Sequence, residues 1–256
     1  MLAWRADGST GSPPVVLLHG LGESMRCWDR VVPLLADRFL VVLVDLPGFG
    51  KSHGGGRGTT IEEFAGAVAE VLRAADVREA VVAGHSMGGA VAVALAEREA
   101  ELVARVVLVN TPPTVESRLT AHKGSERIVR LPVIGPLIWR TLSEDKLREG
   151  LRSAFAPGFA VPDEFATDLH GTSWSGFVGG TTAVDRYLAE RPLGERVAAL
   201  DVPVTVVFGE QDGRVALDSL SVYDGAANAT VARVPEAGHT PVWETPEHAA
   251  ELIAGG

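Results

Sequence analysis

Six short valine- and leucine-rich runs punctuate the chain: PVVLLHG, FLVVLVDLPG, EAVVAGHS, ARVVLVNTPP, DVPVTVVFGEQD and ATVARVPEAGH. Each is about one strand long, apolar on successive residues, and stopped by a turn signal, which is the pattern of strands covered on both faces. Between most of them the period changes. CWDRVVPLLADR places Trp28, Val31, Leu34 and Leu35 on one helical stripe, and TIEEFAGAVAEVLRAADV does the same with Ile61, Phe64, Val68, Val71 and Leu72. Thr60 and Glu63 have the spacing of a capping box at the start of the second helix. Strands that alternate with helices bury their apolar surface as a mostly parallel sheet flanked by helices, so the fold class is α/β.

The alternation lapses between Thr111 and about Arg191, where helical spacing continues without a convincing strand. The expected organisation is a core built from residues 1–110 and 192–256, interrupted by a helical cap, or lid, over 111–191. An insertion at a strand's carboxyl end lies over the mouth where open α/β sheets bind ligands.

With 46% hydrophobic and 22% charged residues, 256 residues suffice for one substantial core. A net charge of −10 repels phosphate backbones and anionic lipid surfaces, which argues against nucleic-acid and peripheral-membrane roles and leaves small molecules as partners. No apolar stretch approaches the roughly 20 residues needed to span a bilayer, and MLAWRADGSTGSPP lacks the features of a secretion signal, so a soluble, cytoplasmic protein is expected. Cys27 is the one cysteine; a buried thiol is expected, with no internal disulfide and no cysteine-based zinc cluster.

Chemistry enters at GHSMGG, between the strand-like AVVAG and the helix-like MGGAVAVALAERE. Ser86 sits on that corner with Gly84 and Gly88 two residues away on either side, as a nucleophile elbow requires. The Met87 amide, at the start of the new helix, points toward an oxyanion formed there. A serine hydroxyl needs a base held by an acid. Asp212 follows a strand in VTVVFGEQDGRV, with Glu210 and Asp218 as nearby rivals, and His239 follows the last strand in VARVPEAGHTP, whereas His248 falls inside the next helix and is expected at the surface. Asp45 ends a strand before the serine and is expected to order the DLPGFGKS turn. In VVLLHGLGES, Leu21 is the expected second oxyanion-hole amide, and His19 is expected to brace the loop.

Taken in order, HGLG, DLPGFGKS, GHSMGG, GEQD and GHTPVWETP make the chain resemble a lid-bearing α/β-hydrolase over nearly its whole length. The resemblance implies serine-hydrolase chemistry: Ser86 attacks a carbonyl, His239 relays the proton, Asp212 orients the imidazole, and water releases the acyl group. No metal or organic cofactor is called for. Only MLAWRA stands before the core for the antiparallel strands that open the sheet in that family, so one or both are expected to be missing.

Residue types narrow the reaction. Relatives that open epoxides or remove halides carry aspartate at the elbow, where Ser86 stands, and Tyr187 is the single tyrosine of the cap segment. A small carboxylic ester, lactone or thioester with a largely apolar body is the first reading. Hydrolysis of carbon–carbon bonds in vinylogous diketones ranks second, since those enzymes often carry asparagine where His85 stands. A non-hydrolytic cyclase or lyase, or a ligand-binding receptor, is the alternative of another class. Ile134, Leu137, Trp139, Trp174 and Phe177 are candidate pocket walls, and Trp243 a further candidate contact.

Overall fold

The computed structural model describes residues 2–52, 59–119 and 124–255. In chain order its strands are β1 (Trp4–Asp7), β2 (Pro14–Leu18), β3 (Leu40–Val44), β4 (Ala80–His85), β5 (Val103–Val109), β6 (Val204–Gly209) and β7 (Ala229–Val234). They form one seven-stranded sheet in the order β1-β3-β2-β4-β5-β6-β7, parallel throughout except for β1, which runs antiparallel to β3. One of the two antiparallel opening strands is therefore present. Its sequence, WRAD, is largely exposed and carries no apolar run to announce it.

The helices are α1 (Val32–Leu35), α2 (Ile61–Ala74), α3 (Met87–Arg98), α4 (Gly124–Val129), α5 (Ile134–Thr141), α6 (Glu144–Leu151), α7 (Asp163–Gly171), α8 (Trp174–Glu190), α9 (Leu193–Ala198), α10 (Pro241–Glu244) and α11 (Pro246–Ala254). The alternation of side chains along each strand divides the core into two layers. Val16, Leu18, Val42, Val44 and Val82 pack against α2, α3 and α9 on one face. Val15, Leu17, Val41, Leu43 and Ala83 pack against Trp28, α1 and α11 on the other. Both layers are dry, which is why the strands read as uninterrupted apolar runs.

Thr60 closes the expected capping box on α2: its hydroxyl accepts from Glu63 N, while Thr60 N donates to the Glu63 carboxylate. Two periodicity readings need correction. The stripe beginning at Trp28 does not continue through Leu34, which is 44% exposed, because the segment breaks into a 3₁₀ turn over Met25–Trp28 and a four-residue helix containing Pro33. ATVARVP is a strand, but it is the sheet's last, and Val231 is 37% exposed.

Six α-helices, α4 to α9, lie between β5 and β6, the first five of them before Arg191, with no strand among the described residues of that stretch. None of the described helices is long and apolar enough to cross a membrane.

Candidate active site

β2 and β4 are parallel neighbours with Leu18 opposite Gly84, so the loops leaving their carboxyl ends emerge side by side. This is the switch point of the sheet, since the chain adds β3 on one side of β2 and then β4 on the other. At the end of β4 the chain turns into α3 at Ser86, whose φ of 50° and ψ of −114° are a sparsely populated conformation for a side-chain-bearing residue. The turn is tight enough that a Cβ on Gly84 would lie 2.2 Å from the Gly88 backbone, and one on Gly88 would lie 2.4 Å from Leu18 O. Glycine at both positions lets α3 begin against the ends of β2 and β4.

Neighbouring strands supply the rest. Ser86 Oγ lies 3.0 Å from His239 Nε2, and His239 Nδ1 lies 2.7 Å from Asp212 Oδ2. With the serine hydroxyl donating to Nε2 and Nδ1–H donating to the carboxylate, His239 is neutral in one defined tautomer. Burial lowers its pKa most, His85 and Arg214 lower it further, and Asp212 opposes them. The Asp212 carboxylate accepts from Asn110 Nδ2 at 2.7 Å and from the amides of Arg214 and Val215 at 2.7 and 3.1 Å. Burial alone would raise its pKa; the His239 ring and these donors hold it below the usual carboxylate range. The rivals lie elsewhere: Glu210 faces Arg233, Asp218 falls within the 3₁₀ turn Leu217–Tyr223, and His248 sits half-exposed in α11.

Three structural expectations hold. His19 Nε2 accepts from Leu46 N at 2.9 Å while Nδ1–H donates to Gly20 O at 2.7 Å, a brace that requires the neutral ring favoured by its burial. Asp45 accepts from Met25 N and Lys51 N, ordering the turn after β3. Cys27 is a buried free thiol.

A cavity of about 780 Å³ opens above Ser86 and His239. Leu21, Trp139 and Phe177 line it, with the Trp139 and Phe177 rings 4.6 Å apart. Four other candidates lie elsewhere. Trp174 is not a wall: its Nε1 donates to Val129 O at 2.7 Å and ties α8 to α4. Ile134 and Leu137 are 49% and 62% exposed on the outer side of α5. Trp243 lies beneath the sheet, edge-on to Phe165 at 5.3 Å and under Arg30, because α10 turns it into the lower core layer. Tyr187 is also outside the cavity, donating to Glu97 at 2.9 Å.

Sequence reasoning missed a second buried histidine pair. His85 Nδ1 lies 2.9 Å from Glu23 Oε2, and its Nε2 lies 2.8 Å from His239 O. Both partners are acceptors, so both ring nitrogens must donate, and His85 is an imidazolium. Burial opposes that charge, but Glu23 outweighs it and raises the His85 pKa; burial likewise opposes the Glu23 carboxylate, which His85 and the Gly20 amide bring down to about 2. Asn110, at the end of β5, was also missed. Its Oδ1 accepts from Gly209 N while Nδ2 reaches Asp212 and Gly238 O, stitching β5 to the loops after β6 and β7.

The sequence profile of the alpha/beta hydrolase fold matches residues 13–246. The chain belongs to that family. Over 264 residues it is 26% identical to a pimeloyl-acyl-carrier-protein methyl ester esterase of Pectobacterium carotovorum, covering 98% of this chain and 96% of that one. An uncharacterised protein of Mycobacterium tuberculosis is 25% identical over 274 residues, covering 98% and 76%. Among solved structures, an enol-lactonase from Burkholderia xenovorans superposes with a TM-score of 0.81 at 24% identity, covering 99% and 95%, a likeness of fold. As an alpha/beta hydrolase the chain is an enzyme of hydrolytic type, and Ser86, Asp212 and His239 follow the carboxyl ends of β4, β6 and β7.

Proposed function

We propose that the protein is a serine hydrolase that cleaves a carboxylic ester, lactone or thioester of a small, largely apolar molecule through Ser86, His239 and Asp212. One observation carries the reading: the continuous hydrogen-bond chain from Ser86 Oγ through both nitrogens of His239 to Asp212, opening on the cavity. Neutral His239 removes the hydroxyl proton as Ser86 Oγ attacks the carbonyl carbon. Asp212, fixed by four donors, holds the ring's tautomer and stabilises the imidazolium that forms. The amide of Met87, first in α3, has no intrahelical acceptor. With the amide of Leu21, from the loop beside it, it forms the oxyanion hole; losing one such donor typically costs about 10²–10³ in turnover. The imidazolium protonates the leaving group, and water, deprotonated by His239, releases the acyl chain. Residues 111–191 act as the cap, with Trp139 and Phe177 as its aromatic walls over the acyl group. The similarity to a methyl ester esterase along nearly the whole chain is in keeping with ester chemistry.

Short-chain p-nitrophenyl esters test this. Wild type is expected to turn them over and Ser86→Ala to fall by at least about 10³-fold, while a fluorophosphonate probe labels Ser86 in peptide mapping. Equal rates for the two proteins, or labelling at another residue, would overturn the assignment.

A further inference from the structure

Apart from the site serine and histidine, the cavity is walled mainly by apolar side chains, yet a guanidinium reaches into it. Arg214 lies two residues beyond Asp212, and its backbone amide donates to Asp212 Oδ1 at 2.7 Å, so its place is fixed by the same loop that fixes the acid. Its side chain lines the cavity together with Ser86 and His239. The guanidinium is poorly satisfied: Nε reaches Ser153 Oγ at 3.3 Å, Nη2 reaches Gly150 O at 3.4 Å, and Nη1 has no partner among the described residues.

No carboxylate lies within ion-pair distance of it among the described residues, and most of the buried acids around the cavity have partners of their own, although Glu126 Oε1 accepts no hydrogen bond. Glu23 is held by His85, Asp212 by His239 and Asn110, and Glu126 lies 3.6 and 3.8 Å from Arg118 and Arg130. Arg118 is in turn bound to Asp185. The remaining charged lining residues, Lys146, Glu149 and Arg152, are exposed and belong to the rim. Enclosure disfavours the Arg214 cation and lowers its pKa, outweighing the more distant charges of Glu23, Asp212 and Glu126 that favour it, and an anionic ligand in contact would offset what remains of that cost.

We propose that Arg214 is the anion-binding residue of the cavity and that the substrate carries an ionised carboxylate in addition to its scissile bond. The proposal rests on the reading that Ser86 attacks a carbonyl in this same cavity. A planar guanidinium with a free edge accepts a carboxylate through two parallel N–H···O bonds. A half-buried cation with no ion-pair partner among the described residues matches a single negative charge. A hydrogen bond to a charged group of this kind is worth about 10- to 100-fold in affinity.

The test compares matched esters, each rate normalised to its hydrolysis by hydroxide. In the acyl arm, p-nitrophenyl hemiesters of glutarate through suberate are set against p-nitrophenyl alkanoates of equal length; in the leaving-group arm, 4-acetoxybenzoate is set against phenyl acetate. Wild type is expected to favour the anionic member by about tenfold or more in one arm, chiefly through KM, with the preference shrinking as salt rises. Arg214→Gln should bring the ratio near one, and Arg214→Lys should retain part of it. A wild-type ratio near one in both arms, or a ratio undiminished in Arg214→Gln, overturns the proposal. Calorimetric binding of octanoate against octan-1-ol reads the guanidinium without turnover. A preference for octanoate that Arg214→Gln abolishes, in a protein that cleaves no ester, would support the anion site and overturn the reading of Ser86 as an ester-cleaving nucleophile. Ester turnover with no anionic preference in either assay would do the reverse.

Discussion

The charge beside His239 is set by single residues, and His85 shows how. Its ring centroid lies 5.1 Å from that of His239, and as an imidazolium it lowers the pKa of that ring. Burial acts in the same direction, so the acid limb of kcat/KM is expected below the ordinary histidine value of 6.5. His85→Gln removes the positive neighbour and should move that limb upward toward 6.5, which a pH–rate profile of both proteins would detect; an unmoved limb would refute the coupling. The same variant leaves Glu23 enclosed without its counter-ion, at a cost of about 3 kcal/mol. The sign of each shift gives the pH window. The depressed Glu23 pKa stabilises the fold above 4.5 and loses that contribution as pH falls toward about 2. The raised His85 pKa stabilises below 6.5 and loses its contribution as pH rises through the folded value. Urea melts of the variant should therefore show their largest deficit between pH 4.5 and 6.5. The sequence made Ser86, Asp212 and His239 legible because each follows a strand-like run in a glycine-marked turn. It concealed Glu23, Asn110 and Arg214 because their meaning lies in pairings across the fold, such as the 62 positions between Glu23 and His85.

Among the elements, the short helix α10 has an influence out of proportion to its four residues. Its last residue, Glu244, accepts from the amides of Gly238 and Thr240 at 3.1 Å and from Ala156 N at 2.6 Å. One carboxyl thus fixes the backbone on both sides of His239 and joins it to the segment leaving α6. Burial raises the Glu244 pKa while those three amides pull it back. Glu244→Ala strands three donors; it should lower stability by about 2 kcal/mol and, by loosening His239, lower kcat by about 10- to 100-fold. Glu244→Gln keeps an acceptor oxygen and should recover part of both. Thermal melts and kcat measured on the two variants check this; an alanine variant that melts earlier at unchanged kcat would refute the positioning role. Elements of this size are hard to see in a sequence. PVWE has no full helical period, and β1 could not be told from a missing strand because its residues are largely exposed and solvent leaves no apolar pattern. The parallel strands were readable for the opposite reason: both faces of VVLL and LVVLV are dry.

For the molecule as a whole, the question is whether the helices between β5 and β6 ride on the sheet or complete its packing. Ala183, Val184, Tyr187 and Leu188 of α8 belong to the same apolar layer as α2 and α3. Leu151, Phe155 and Phe165 belong to the layer on the sheet's other face. The intervening segment therefore contributes to both sides of the core, and its deep end cannot lift away without opening them. Glu97 fastens that end. From α3 it accepts from Tyr187 Oη at 2.9 Å and from Arg196 Nη1 at 3.0 Å, and it also pairs with Arg191. The Arg196 guanidinium stacks 3.7 Å from the Tyr187 ring centroid, so removing Glu97 leaves a 6%-exposed arginine without its main counter-charge. Glu97→Ala should cost about 3 kcal/mol, which for a chain of this size lowers Tm by roughly 6–12 °C. Because the segment and the core share their apolar layers, calorimetry should show one transition in both proteins, with the calorimetric and van't Hoff enthalpies equal, and the variant's whole transition shifted. Two resolved transitions, of which Glu97→Ala moves only the first, would mean that the segment melts as a separate unit, with the apolar contacts of α8 too weak to couple it to the sheet.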